Sequence, residues 1–190
     1  MKKYIEQSIR DCIAVKTKVL EELVEGIEEL ADRLVKSYQD GGKLLLFGNG
    51  GSAADAQHIE TELVHQFEMK ERRCLLAIAL TTNSSLLTAV GNDWSFDQVF
   101  ERQVEGLATN KDVVLGLSTS GNSVNVVKGI EQGKKNGAFT AVLTGKGGGR
   151  LKDIADLSIV VPSDNTARIQ ESHIMIGHIL CGLIEQQLFS

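Results

Sequence analysis

Five short runs of almost unbroken apolar character recur along the chain: KLLLFG (43–48), LLAIAL (75–80), DVVLGLS (112–118), TAVLTG (140–145) and LSIVVP (157–162). A strand with one wet face alternates apolar and polar residues, so continuous runs of this length mark strands covered on both faces, as in a parallel sheet. Between them the apolar spacing becomes helical over 52–67, about 83–108, 123–136, a short stretch near 149–155, and a last helix from about 166 to 188. Ahead of the sheet, Ile5, Ile9, Ile13, Val19, Leu20, Leu23, Ile27, Leu30 and Leu34 recur at three and four positions, which requires one long amphipathic helix or two shorter ones. Strand and helix in alternation predict an α/β domain with a doubly wound, five-stranded parallel sheet, and 190 residues are most simply one such domain, 1–190.

The composition narrows the partners. A net charge of -5 gives no general attraction for nucleic acid or an anionic membrane, so a phosphate group must be held by local donors. Cys12, Cys74 and Cys181 lack metal-site or redox spacing and read as small apolar residues in a reducing cytoplasm. No segment approaches the roughly 20 apolar residues that cross a bilayer. A small molecule is the expected ligand.

Open sheets of this kind bind ligands at the carboxyl ends of strands where the strand order reverses, which draws attention to the loops after the first and third strands. These are GNGGS (48–52) and STSGNS (118–123). Each leads into a helix start, where backbone N–H groups point outward at the positive end of the dipole. Glycines let the amides converge, and Ser52, Ser118, Thr119, Ser120 and Ser123 add hydroxyl donors. Neither loop has the Gly-Lys-Ser/Thr of a nucleotide-hydrolysing loop. Gly48, Gly50 and Ala53 satisfy a dinucleotide fingerprint, but the second strand ends LLAIALTTNSS with no acid to hold a ribose. A hydroxyl-rich cradle suits the terminal phosphate of a small neutral molecule such as a sugar phosphate.

On the helix leaving the first loop, His58 and Glu62 are one turn apart and His65 follows three residues later, so all three can share a face as metal ligands or as a base and its partner. The last helix carries RIQESHIMIGHIL, in which Gln170 and His178 fall on neighbouring faces two turns apart while His173 and His178 point away from each other. At most one of those histidines shares a site with Gln170 of the same chain, and spacing alone favours a hydrogen-bonded histidine at the core edge over a ligand.

Taken together, GNGGSAADAQH, ELV, AIALTT, AVGND, LGLSTSGNSVNVVK, LTGKGGG and VPSDNTARIQESHIMIGHIL resemble the sugar isomerase (SIS) fold and, within it, the sedoheptulose 7-phosphate (phosphoheptose) isomerase family, over nearly the whole chain. The resemblance implies a flavodoxin-like sheet with an amino-terminal helical extension, residues 1–40, used in packing and oligomerisation. It implies a cytoplasmic homotetramer with active sites between subunits. Its reaction is the isomerisation of sedoheptulose 7-phosphate to D-glycero-D-manno-heptose 7-phosphate through an enediolate, the first step toward nucleotide-activated heptoses of bacterial surface polysaccharide. Carried over by position, one zinc ion (Zn2+) per site falls to His58, Glu62, Gln170 and His178, with Glu62 as base and His178 as acid. Substrate contacts fall to Asn49, Gly50, Gly51, Ser52, Asn92, Asp93, Ser118, Thr119, Ser120, Ser123 and Gln170.

The chain departs from the family pattern where Gln66 replaces a usual arginine, and where Ala167 stands in place of an aspartate found in some members. The same fold includes a non-catalytic bacterial adaptor that binds the replication initiator, but that branch lacks the catalytic Glu and the last His, both present here as Glu62 and His178. Sugar-phosphate sensors of this fold carry a DNA-binding domain, and the amino-terminal helices here are neither basic nor patterned as a helix-turn-helix.

Overall fold

The computed structural model describes all of residues 1–190. Two helices, α1 (Lys2–Glu22) and α2 (Val24–Gln39), precede five strands: β1 (Leu44–Gly48), β2 (Ala77–Ala79), β3 (Val113–Ser118), β4 (Phe139–Thr144) and β5 (Leu157–Val160). The helices between and after them are α3 (Gly51–Val64), α4 (Ser84–Asp93), α5 (Glu101–Leu107), α6 (Val124–Lys135), α7 (Leu151–Ile154) and α8 (Thr166–Phe189). All strand pairs are parallel, in the order β2-β1-β3-β4-β5. The order reverses between β1 and β3, so the carboxyl ends of those two strands flank the crevice where such sheets take ligands.

Both faces of the sheet are covered. Leu44, Leu46, Leu115, Leu117 and Leu143 join one apolar cluster with residues of α2, α3 and α8, while Leu45, Phe47, Val114 and Val142 join another with residues of α5 and α6. Neighbouring strand residues serve opposite faces, which is why the runs are continuously apolar rather than alternating.

Two expectations need correction. The helix anticipated over 83–108 is broken: Ser95 caps the turn Phe96–Gln98 by accepting from Asp97 N–H (3.1 Å), so α4 and α5 are separate helices. Helix α3 ends at Val64 with His65 as its C-cap, its N–H bonded to the Thr61 carbonyl oxygen (2.9 Å) and its side chain exposed, so it does not join the group that His58 and Glu62 form with His178. Along α1, Tyr4, Ile5, Ile9 and Ile13 are each more than half exposed, so much of its apolar stripe meets no partner within the chain.

Candidate active site

The two loops lie side by side because β1 and β3 are neighbours. Gly50 caps α3 and Gly51 opens it; Ser52, in its first turn, is buried. Ser118 ends β3, and Ser123 caps α6, their hydroxyl oxygens 3.0 Å apart. Thr119 and Ser120 are half-buried between them, and Ser120 Oγ accepts from Asn122 N–H (3.2 Å). Gly121 has φ +67°, and a Cβ there would stand 1.9 Å from the Gly148 carbonyl oxygen, so only glycine permits this turn against the loop after β4. The amides of Asn49 and Asn125 exchange two hydrogen bonds of 2.9 Å and tie the first loop to α6. Asn125 escaped the sequence reading; a buried amide within the apolar run VNVV was its signal. Asn92 and Asp93 close α4 on the exposed surface, bonded to each other (2.8 Å) and to neither loop.

The second cluster lies along the seam between α3 and α8. A Cβ on Gly177 would stand 2.7 Å from Ile59, so its absence lets the helices approach closely and sets the adjoining His58 and His178 together. Their Nε2 atoms are 3.2 Å apart, and His58 Nε2 is 3.3 Å from a Glu62 carboxylate oxygen. The three ligand atoms all lie within 4.8 Å of one another. A tetrahedral zinc ion with bonds of about 2.0–2.1 Å holds its ligand atoms about 3.3 Å apart. The His58–His178 and His58–Glu62 separations match that spacing, and with the third pair also within 4.8 Å the two imidazole nitrogens and the carboxylate form a group able to hold such an ion.

Gln170 stands elsewhere. Its side-chain amide lies against Gly51, where an added Cβ would fall 2.5 Å from Nε2, so it faces the first loop. Eight residues along α8, about 12 Å of helix, separate it from His178 within the chain. His173 is fully buried, with Nε2 3.1 Å from the Thr144 carbonyl oxygen. Burial lowers its pKa to about 4, so it is a neutral core residue, the hydrogen-bonded core histidine that spacing alone favoured. Asp55, one turn before His58, is half-buried with one oxygen unpartnered; burial raises its pKa to about 6, against a downward pull from His58.

The Phe67 ring also escaped the sequence reading. It stacks on His178 at 5.5 Å between centroids and 16° between planes. Gln66 Oε1 accepts from Glu71 N–H (3.3 Å), so this side chain serves its own loop. A concavity of about 720 Å³ lined by Met69, Arg72, Arg73 and Phe189 contains none of the site residues described above.

The SIS domain family matches residues 7–145, which defines the class. A phosphoheptose isomerase from Nitratiruptor sp. is 53% identical, covering 98% of this chain and 99% of the relative. Another, from Trichlorobacter lovleyi, is 49% identical and covers 100% and 96%. The solved structure of a phosphoheptose isomerase from Francisella tularensis matches with a TM-score of 0.94 at 38% identity, covering 97% of each chain. The chain belongs to the phosphoheptose isomerases, a family of SIS-domain enzymes that interconvert aldose and ketose sugar phosphates.

Proposed function

We propose that this phosphoheptose isomerase converts sedoheptulose 7-phosphate to D-glycero-D-manno-heptose 7-phosphate through an enediolate, with Glu62 as base and His178 as acid beside one zinc ion. The observation that carries the assignment is the meeting of His58, Glu62 and His178 across the α3–α8 seam, from positions up to 120 residues apart. Glu62 takes the proton from the carbon beside the carbonyl and returns it to the neighbouring carbon, while His178 moves a proton between the two oxygens. Zinc bound by His58, Glu62 and His178 would polarise those oxygens and steady the charge that develops on them. The serine loops hold the phosphate. His58 follows Gly51 by seven residues, about 10 Å along α3, a span that an extended seven-carbon chain bridges.

The working form is a homotetramer with sites between subunits. The exposed apolar stripe of α1 supports subunit packing, and the distance of Gln170 from His178 within one chain supports a fourth donor supplied as Gln170 of the partner subunit. Three unpaired cysteines accord with a reducing cytoplasm, and no helix is long and apolar enough to cross a membrane. The product would feed the making of a nucleotide-activated heptose.

The test is aldose formation from sedoheptulose 7-phosphate with and without a chelator. Turnover lost on chelation and restored by zinc supports the assignment. Turnover indifferent to chelation contradicts the metal, and no turnover by zinc-loaded protein, together with tight binding to the replication initiator, contradicts the enzyme.

A further inference from the structure

A buried ion pair, Arg72 with Glu185, sits beside the seam and touches the proposed ligands only at the main chain of Glu62. Glu185 lies in α8, seven residues past His178, and its side chain and that of Arg72 are only 1% and 2% exposed. One carboxylate oxygen accepts from Phe67 N–H (2.8 Å) and Arg72 Nε (2.5 Å), and the other from the N–H groups of Glu68 and Met69 (2.8 Å each). Burial alone raises the Glu185 pKa, but the guanidinium and the three amides outweigh it and hold the carboxyl at about 2. Arg72 also donates through Nη2 to the Glu62 carbonyl oxygen (2.6 Å). That carbonyl belongs to the last turn of α3, where no intrahelical donor remains.

The contacts of the pair therefore reach Glu62 at its main chain and His178 by way of the Phe67 ring. Through Arg72, Glu185 holds the main chain of Glu62; through the Phe67 amide, it holds the residue whose ring stacks on His178. A buried ion pair is weak evidence for stability, because desolvation offsets most of its attraction. What a guanidinium fork supplies is direction, since its donors leave in fixed, coplanar lines. We infer that Arg72 and Glu185 are positioning residues for the isomerisation, fixing Glu62 and His178 relative to each other across the α3–α8 seam. This rests on the roles proposed above for those two groups.

The experiment compares Glu185→Gln, Arg72→Lys and Glu62→Gln with wild type. It reads zinc affinity by competition with a chromophoric chelator, kcat and KM separately, and folding by circular dichroism. Outer partners of metal ligands typically change affinity by about 10–100-fold, so Glu185→Gln should weaken zinc binding at least about tenfold and lower kcat similarly. KM should stay within about threefold, because the serine loops are untouched. Arg72→Lys keeps the charge but loses the fork, and should show a smaller loss of the same kind. If Glu62→Gln is inactive while both other variants keep zinc affinity and kcat within about twofold at full zinc loading, the positioning role is overturned and the proposed catalysis stands. If Glu62→Gln stays active, the catalytic assignment itself fails. Should neither Glu185→Gln nor Arg72→Lys fold, the pair is a requirement of the fold, which also overturns the inference.

Discussion

The serine loops and the α3–α8 seam are built in opposite ways. Each loop is a few consecutive residues between a strand and a helix, and much of its chemistry is backbone: helix-start amides aimed by glycines at the edge of a parallel sheet. The seam is assembled from side chains up to 120 residues apart, held in line by a close glycine contact at Gly177 and by a carboxylate at Glu185. Binding should therefore belong to the loops and proton transfer to the seam, with little exchange between them.

The sharpest way to break that division is Glu62→Gln. It should lower kcat by about a thousandfold while sugar-phosphate affinity, measured by calorimetry, stays within about threefold. A parallel loss of affinity would mean the two regions act as one. Next in size is an effect in α8, at the buried His173. Because burial lowers the His173 pKa to about 4 from an ordinary 6.5, the unfolded chain takes up the proton more readily, so stability falls as the pH drops from about 6.5 through 4. The loss from this residue is up to about 3 kcal/mol. Urea unfolding of metal-free protein should show the pH slope over that range shrinking by as much in His173→Gln.

Within the loops, Gly121→Ala puts a Cβ into the Gly148 carbonyl at a positive φ and should cost about 1–3 kcal/mol in unfolding free energy. Ser120→Ala removes a hydroxyl proposed above to help hold the phosphate and should raise KM about tenfold with kcat nearly constant in steady-state assays.

The contrast also explains what could be read in advance. The strands, their order of helices and the two Gly/Ser loops after β1 and β3 were legible because each depends on neighbours in sequence: apolar runs for the sheet, Gly and Ser at strand ends for the loops. His58 and Glu62 were legible as a pair one turn apart, and resemblance to a family singled out His178 and Gln170. Local spacing failed where a tertiary contact decides. His65 carries helical spacing but lies past the end of α3, and the stretch 83–108 has helical composition but a Ser95-capped break. Phe67, Arg72 and Glu185 acquire a role only when α3 and α8 meet, although an acid among the apolar residues of HILCGLIEQQLF was visible from the start.

The most direct test of the division is anomalous diffraction at the zinc edge from crystals grown with zinc and a sugar phosphate. One peak within bonding distance of His58 Nε2, Glu62 and His178 Nε2, with the phosphate against Ser52, Ser118, Ser120 and Ser123, is the expected result. Zinc bound at the cysteines or elsewhere on the surface, or a phosphate lying away from those serines, would contradict it.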